Sequence, residues 1–147
     1  MTTNDARASI LARALRAGLA GDRQAVADAC TDDVRMWGPS IAAESRAELL
    51  EALDRRDRAF SDFELEITPL DVGGDFACVE WTVLMKHSGP VELAGGTRLE
   101  PSGEPVIVNG ATIAEFDDDR ICSLRQYWDE FAVLEQLGVL SADDVSS

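Results

Sequence analysis

Apolar residues at Ile10, Leu11, Ala14, Leu15 and Leu19 return every three or four positions, the spacing that lays side chains along one side of an α-helix. The pattern predicts an amphipathic helix from Asp5 to Ala20, weakened in its last turn by Gly18. Gly21-Asp22 ends it, and Asp22 is placed to cap a short second helix carrying Ala25, Val26 and Ala29. Val34 to Trp37 reads as a brief strand closed by Gly38-Pro39. Ser45-Arg46-Ala47-Glu48 is a capping box, in which serine and glutamate satisfy each other's free backbone amides. It opens a third helix with Leu49, Leu50 and Leu53 inward, running to about Arg58.

Beyond that helix the period drops to two. Phe63, Leu65 and Ile67 alternate with acids, as in a strand with one wet face. Val72-Gly73-Gly74-Asp75 makes a turn, and Phe76 to His87 reads as a long central strand, apolar on both faces in places. Ser88 to Pro105, rich in glycine and proline, is expected to be a loop or irregular hairpin. Val106 to Phe116 and Ile121 to Trp128 are strands joined by the tight polar turn Asp117-Asp118-Asp119-Arg120. A last helix is expected from Glu130 to Leu137, with Gly138 ending it in the left-handed conformation.

This order predicts an α+β domain: a curved antiparallel sheet forming a cone, closed by the N-terminal helices and the short C-terminal one. A cone of this size holds a small molecule. No linker or repeat divides the chain, so a single domain is expected over 1–147, with its core from about 5 to 140 and a short polar tail.

Charge and composition narrow the partners. Twenty-eight acids against 13 bases give a formal charge of −15, which repels phosphate backbones and anionic membrane surfaces. Neither nucleic acid nor membrane is therefore expected as a partner. Apolar runs are too short for a membrane helix, and residues 1–9 lack the basic and hydrophobic segments of a secretory signal. Cys30, Cys78 and Cys122 are odd in number and have no metal-type spacing, so they read as buried hydrophobes in a reducing cytoplasm.

Four segments in order carry a resemblance. They are Gly21-Asp22 followed by Thr31-Asp32-Asp33-Val34, then Val79-Glu80-Trp81-Thr82, then Phe116 to Ile121, then Tyr127-Trp128-Asp129 leading to Leu134-Glu135-Gln136-Leu137-Gly138. From Ile10 to Leu140 the chain resembles the SnoaL-like polyketide cyclase group of the nuclear transport factor 2-like superfamily, whose relatives include ketosteroid isomerases and limonene-epoxide hydrolases. The resemblance implies a cone with an internal pocket, and a homodimer. It also implies where acids should stand, and this chain departs there. The isomerase base falls near Met36-Trp37 and its proton-donating acid near Thr112. The epoxide hydrolase triad falls on Glu80, Thr82 and Gln126, and the cyclase aspartate and histidine fall on Gln126 and Thr112. The family's usual acids are missing from these positions.

The candidate chemistry is read from what remains. Glu80 shares a strand face with Phe76, Cys78, Thr82 and Leu84, and is expected to project into the hollow as a general base, with Gln126 as its hydrogen-bond partner. The alternative is that this face is solvated, or that Glu80 pairs with an arginine such as Arg125. Asp129 stands where a strand meets a helix; it reads first as a helix cap and second as a catalytic acid. Trp37 and Trp128 are expected on the pocket wall, with plain core as the alternative, and Thr82, Asn109 and Thr112 complete the substrate-binding set. Trp81, Val83 and Met85 are expected on the outer face, toward a partner subunit. His87 is expected exposed near a strand end, with no second ligand spaced to make a metal site. No metal or cofactor is expected. Two functions fit: a metal-free acid–base cyclase or isomerase acting on a small hydrophobic, polyketide- or steroid-like carbonyl compound, or a non-catalytic small-ligand-binding or dimerisation module that has lost the family's catalytic acids.

Overall fold

A computed structural model describes residues 4–70, 73–93 and 95–139. The expected polar tail and Val72 of the predicted turn lie outside the described residues. Helices α1 (Asn4–Ala20), α2 (Arg23–Ala29) and α3 (Arg46–Ala59) precede most of the sheet, and α4 (Glu130–Gln136) follows it. The strands are β1 (Cys30–Gly38), β2 (Ile41–Ala43), β3 (Phe60–Leu70), β4 (Phe76–His87), β5 (Val91–Glu92), β6 (Arg98–Leu99), β7 (Pro105–Asp117) and β8 (Arg120–Trp128).

The helix ends follow the local chemistry expected of them. Asp22 accepts from the Ala25 amide at 3.1 Å, and Ser45 accepts from Glu48 N at 3.2 Å. Gly138 closes the last helix at φ +80°, a conformation that costs glycine little and other residues about 1 kcal/mol or more.

Six strands form one curved sheet in the order β2-β1-β8-β7-β4-β3, not closed into a barrel. Its direction corrects one expectation. β1 runs parallel to β8, with Met36 opposite Leu124, so the sheet is mixed rather than antiparallel throughout. Hairpin turns force antiparallel neighbours, but no turn links β1 to β8, which are separated by most of the chain. β2, not foreseen, folds back on β1 after Gly38. The loop before β7 contains a small separate hairpin of β5 and β6.

Register decides which side chains face inward. Ile67 lies opposite Trp81, Trp81 opposite Gly110, and Gly110 opposite Trp128, giving one row across β3, β4, β7 and β8. The next row runs Val79, Thr112, Gln126. These rows face the helices. Leu11, Val26, Leu49 and Leu53 pack there against Val34, Met36, Val79, Phe116, Ile121 and Leu124. Each fully buried leucine of this kind contributes roughly 1.5–3 kcal/mol. A second cluster joins Met85, Val106, Val108 and Val133 beneath α4. The other face carries Thr68, Glu80, Ala111 and Tyr127 in one row and Glu66, Thr82 and Asn109 in another.

Among the described residues no helix is long and apolar enough to cross a membrane. Cys30, Cys78 and Cys122 are free thiols.

Candidate functional site

Between the inner sheet face and the helices lies a cavity of about 780 Å³. Its wall is mostly apolar, drawn from α1 (Leu11, Leu15), α3 (Leu49, Leu53), β3 (Phe63, Leu65) and α4 (Val133, Leu137). The volume lies in the range of small-molecule sites.

The polar part of this wall rests on β4, β7 and β8. Trp81 Nε1 donates to Thr112 Oγ1 at 2.9 Å, and Thr112 in turn donates to Gln126 Oε1. An indole N–H can only donate, so Thr112 must accept from Trp81 and is left with its own proton to give. That orients the Gln126 amide: Oε1 faces Thr112, and Nε2, which has no hydrogen-bond partner among the described residues, faces away from it. Thr112 is fully buried, while Gln126 lines the cavity. Gly110 makes the arrangement possible. A Cβ there would meet Trp81 Cζ2 at 2.6 Å and would collide with the Tyr127 carbonyl, so only glycine lets the indole lie across β7. Trp128 flanks the same spot, its ring 6.3 Å from that of Trp81 at 54°.

A second polar group joins the wall where β8 meets α4. Glu130 Oε2 accepts from Trp128 Nε1 at 2.8 Å and from Ser40 Oγ at 3.2 Å. Oε1 receives no hydrogen bond among the described residues. Glu130 is not among the residues expected from the sequence: Asp129 caps the helix, and one residue further along the helix turns the side chain toward the cavity. Trp81, expected outward, lies on the cavity wall, since alternation puts it opposite Glu80 without saying which of them is inside.

Several expected site residues lie elsewhere. Glu80 is exposed on the outer face, so the expectation that it projects into the hollow is corrected; pairing of Trp81 with Ile67 sets the strand the other way up. Thr82 and Asn109 follow Glu80 outward, where Thr82 Oγ1 donates to Asn109 Oδ1 at 2.7 Å. With Glu66, Thr68 and Tyr127 they line a separate outer depression. Trp37 is 53% exposed and packs against Tyr127, the rings tilted by 56° with centroids 5.4 Å apart, on the outside rather than the pocket wall. Asp129 Oδ1 accepts from Ala132 N at 3.0 Å, the geometry of a helix cap, and the residue is exposed. Of the expected set, the structure brings together Thr112, Gln126 and Trp128. Val83 and Met85 face the cavity with Trp81.

His87, expected exposed, is 1% exposed. Its ring lies 5.7 Å from that of Phe60, and Ser102 N donates to Nδ1 at 3.3 Å, so residues after the hairpin fold back over it. Its Nε2 is buried with no hydrogen-bond partner among the described residues.

The site's titratable groups differ in their surroundings. Burial pushes the Cys30 thiol up to about 11, with Arg46 opposing, so the cavity wall there carries a neutral thiol rather than a nucleophile. Burial also lowers Arg56 from its ordinary value, against the pull of Asp57, and the guanidinium stays charged. Arg56 Nη2 donates to the Gly18 carbonyl at 2.7 Å and its guanidinium stands 4.9 Å from the Phe63 ring centroid. Among the described residues no cluster of three or more His, Cys, Asp or Glu is placed to hold a metal ion.

No curated protein matches the chain. Among solved structures, AclR from Streptomyces galilaeus, a candidate hydroxylase, aligns with a TM-score of 0.78 at 19% identity, over 95% of this chain and 89% of its own. A candidate SnoaL-like polyketide cyclase from Jannaschia sp. CCS1 aligns with a TM-score of 0.78 at 20% identity, over 92% and 93%. An epoxide hydrolase from M. tuberculosis, of the limonene-epoxide hydrolase type, gives 0.68 at 20% identity, over 96% of each chain. Likeness at such low identity fixes the fold and leaves activity open. The SnoaL-like domain model matches residues 11–124, most of the chain. With its curved sheet, its helical lid and that match together, this protein belongs to the SnoaL-like domain family.

Proposed function

We propose that the protein binds a small, mostly apolar carbonyl compound in the cavity beneath its helices, with the carbonyl oxygen on Gln126 Nε2. One observation carries this reading: the Trp81–Thr112–Gln126 chain commits the amide oxygen and leaves the amide N–H groups unspent in an apolar wall. A donor left without a partner in such surroundings favours a ligand that brings an acceptor. Trp81 and Trp128 offer flat surfaces beside it, suited to fused rings such as those of polyketide-like or steroid-like compounds.

The test uses fluorenone and fluorene, which differ by the carbonyl oxygen. Tryptophan fluorescence should report tighter binding of fluorenone, and Gln126→Leu should remove about three- to tenfold of that preference, the worth of one neutral hydrogen bond. Equal affinity of wild type for the two compounds would sink the reading.

The second reading, metal-free proton transfer, moves from Glu80 to Glu130. It is favoured by the unused Oε1 of Glu130 on the cavity wall. There Glu130 would take a proton from the carbon next to the carbonyl, and Gln126 would donate to the enolate oxygen that forms. Deuterium exchange at that carbon, lost by 10²-fold or more in Glu130→Gln, separates catalyst from binder. We further propose a cytoplasmic homodimer formed through the outer sheet face, where Trp37, Ile107 and Tyr127 stand 53%, 50% and 46% exposed.

A further inference from the structure

We propose that the ligand of the cavity carries a carboxylate, received by Arg55 and Arg58 at the exposed rim; this rests on the cavity being a ligand site, as proposed above. The chain has only 13 bases against 28 acids, yet Arg55, Arg56, Arg58 and Arg98 all line this one cavity. Two of the four are already engaged. Arg56 is taken by Asp57 and the Gly18 carbonyl, and Arg98 meets Glu100 at 3.3 Å. Arg55 and Arg58 have no ion pair and no side-chain hydrogen bond among the described residues, and both are exposed.

Other bases also lack an acid among the described residues: Arg13 and Arg16 donate to the Ser9 and Leu65 carbonyls, Arg35 and Lys86 stand on the outer sheet face, and Arg120 stands in the β7–β8 turn. Among the described residues, only Arg55 and Arg58 combine freedom with a place on the cavity wall. Two acids share that wall. Glu130 is held by Trp128 and Ser40 at the β8–α4 junction, and Glu92 lies opposite Arg98 within the β5–β6 hairpin. Neither pairs with Arg55 or Arg58, and the acids beside them on α3, Asp54 and Asp57, are taken by Arg23 and Arg56. A simpler role exists for Arg58, since a cation in that turn complements the negative end of the helix dipole. That role requires no ligand, and the experiment below separates the two.

A guanidinium presents paired N–H donors in a plane, which match the two oxygens of a carboxylate. A dianionic phosphate would meet the same donors, but the chain's charge of −15 opposes a double negative charge more strongly than a single one. The ligand class is therefore an apolar, ring-bearing carboxylic acid with a carbonyl elsewhere on its body.

The test compares a fluorenone bearing a short flexible carboxylate arm with its methyl ester, by tryptophan fluorescence at low salt. Wild type should bind the acid about fivefold more tightly or better, and salt should erode that ratio. Arg55→Gln/Arg58→Gln should bring the acid down to the ester while leaving the ester's affinity unchanged; Arg55→Lys/Arg58→Lys should keep part of the preference. If the double glutamine variant fails to fold, salt dependence of the wild-type ratio decides alone. Ester bound as well as acid, or a ratio untouched by the double substitution, overturns the carboxylate and leaves the cavity reading standing. Binding of neither compound overturns both.

Discussion

Trp81 Nε1 donates to Thr112 Oγ1 across the β4–β7 pair at 2.9 Å, and the same threonine hydroxyl donates onward to Gln126. One buried hydroxyl thus orients an aromatic wall and a polar anchor together. A valine in its place would keep the shape and break both links.

Thr112→Val should destabilise the fold by about 1–3 kcal/mol, because a buried indole N–H loses its acceptor and the Gln126 oxygen its donor. Urea unfolding measures the cost. Thr112→Ser, which keeps the hydroxyl, should recover most of the link while losing a methyl. A valine variant as stable as wild type would mean that the relay contributes nothing.

Glu80→Gln should leave fluorenone affinity within about twofold and stability within about 0.5 kcal/mol, as for surface changes generally. The residue is exposed on the face opposite the cavity. A tenfold loss of affinity would place Glu80 in the site after all.

Cys30 links stability to alkaline pH. Burial raises its thiol from the ordinary 9.0 to about 11, so the folded chain holds that proton more tightly than the unfolded chain. The associated stability is complete below pH 9 and is lost as pH rises toward 11. Urea midpoints of wild type and Cys30→Ala, compared across that window, should converge at the alkaline end. A constant difference would show that Cys30 does not titrate as its burial dictates.

Trp37→Glu places a charge in the exposed aromatic pair of the outer face, 5.4 Å from Tyr127 between ring centroids. Light scattering should then give the single-chain mass of 15.9 kDa, where the proposed dimer of the wild type would give twice that. A wild type already at the single-chain mass would remove the dimer, and an unchanged variant would move the interface elsewhere.

Much of this was legible along the chain because it is decided locally. Ser45, Asp22 and Asp129 each accept an amide three residues on, as their type and place before an apolar helical pattern imply. Alternation on β3 put Phe63, Leu65 and Ile67 inward, where acids between them left no second choice. β4 carries a similar marker, since its Trp81 face holds Ala77, Val79, Val83 and Met85 while Glu80, Thr82 and Lys86 share the other. The expectation of an inward Glu80 follows instead from the resemblance, which sets the family's pocket positions on Glu80 and Thr82.

What the amino-acid order settled by itself is therefore the four helices and the long strands, their caps and the family, since these rest on contacts within a few residues or on patterns spread along the chain, whereas the short β2 left no such pattern. Tertiary structure decided the rest: the parallel direction of β1 beside β8, the burial of His87, and the turning of Trp81 and Gln126 inward with Glu80 outward. The physical reason is parity. A strand's neighbours choose which of its faces meets the core, and a shift of one residue exchanges every side chain between cavity and solvent.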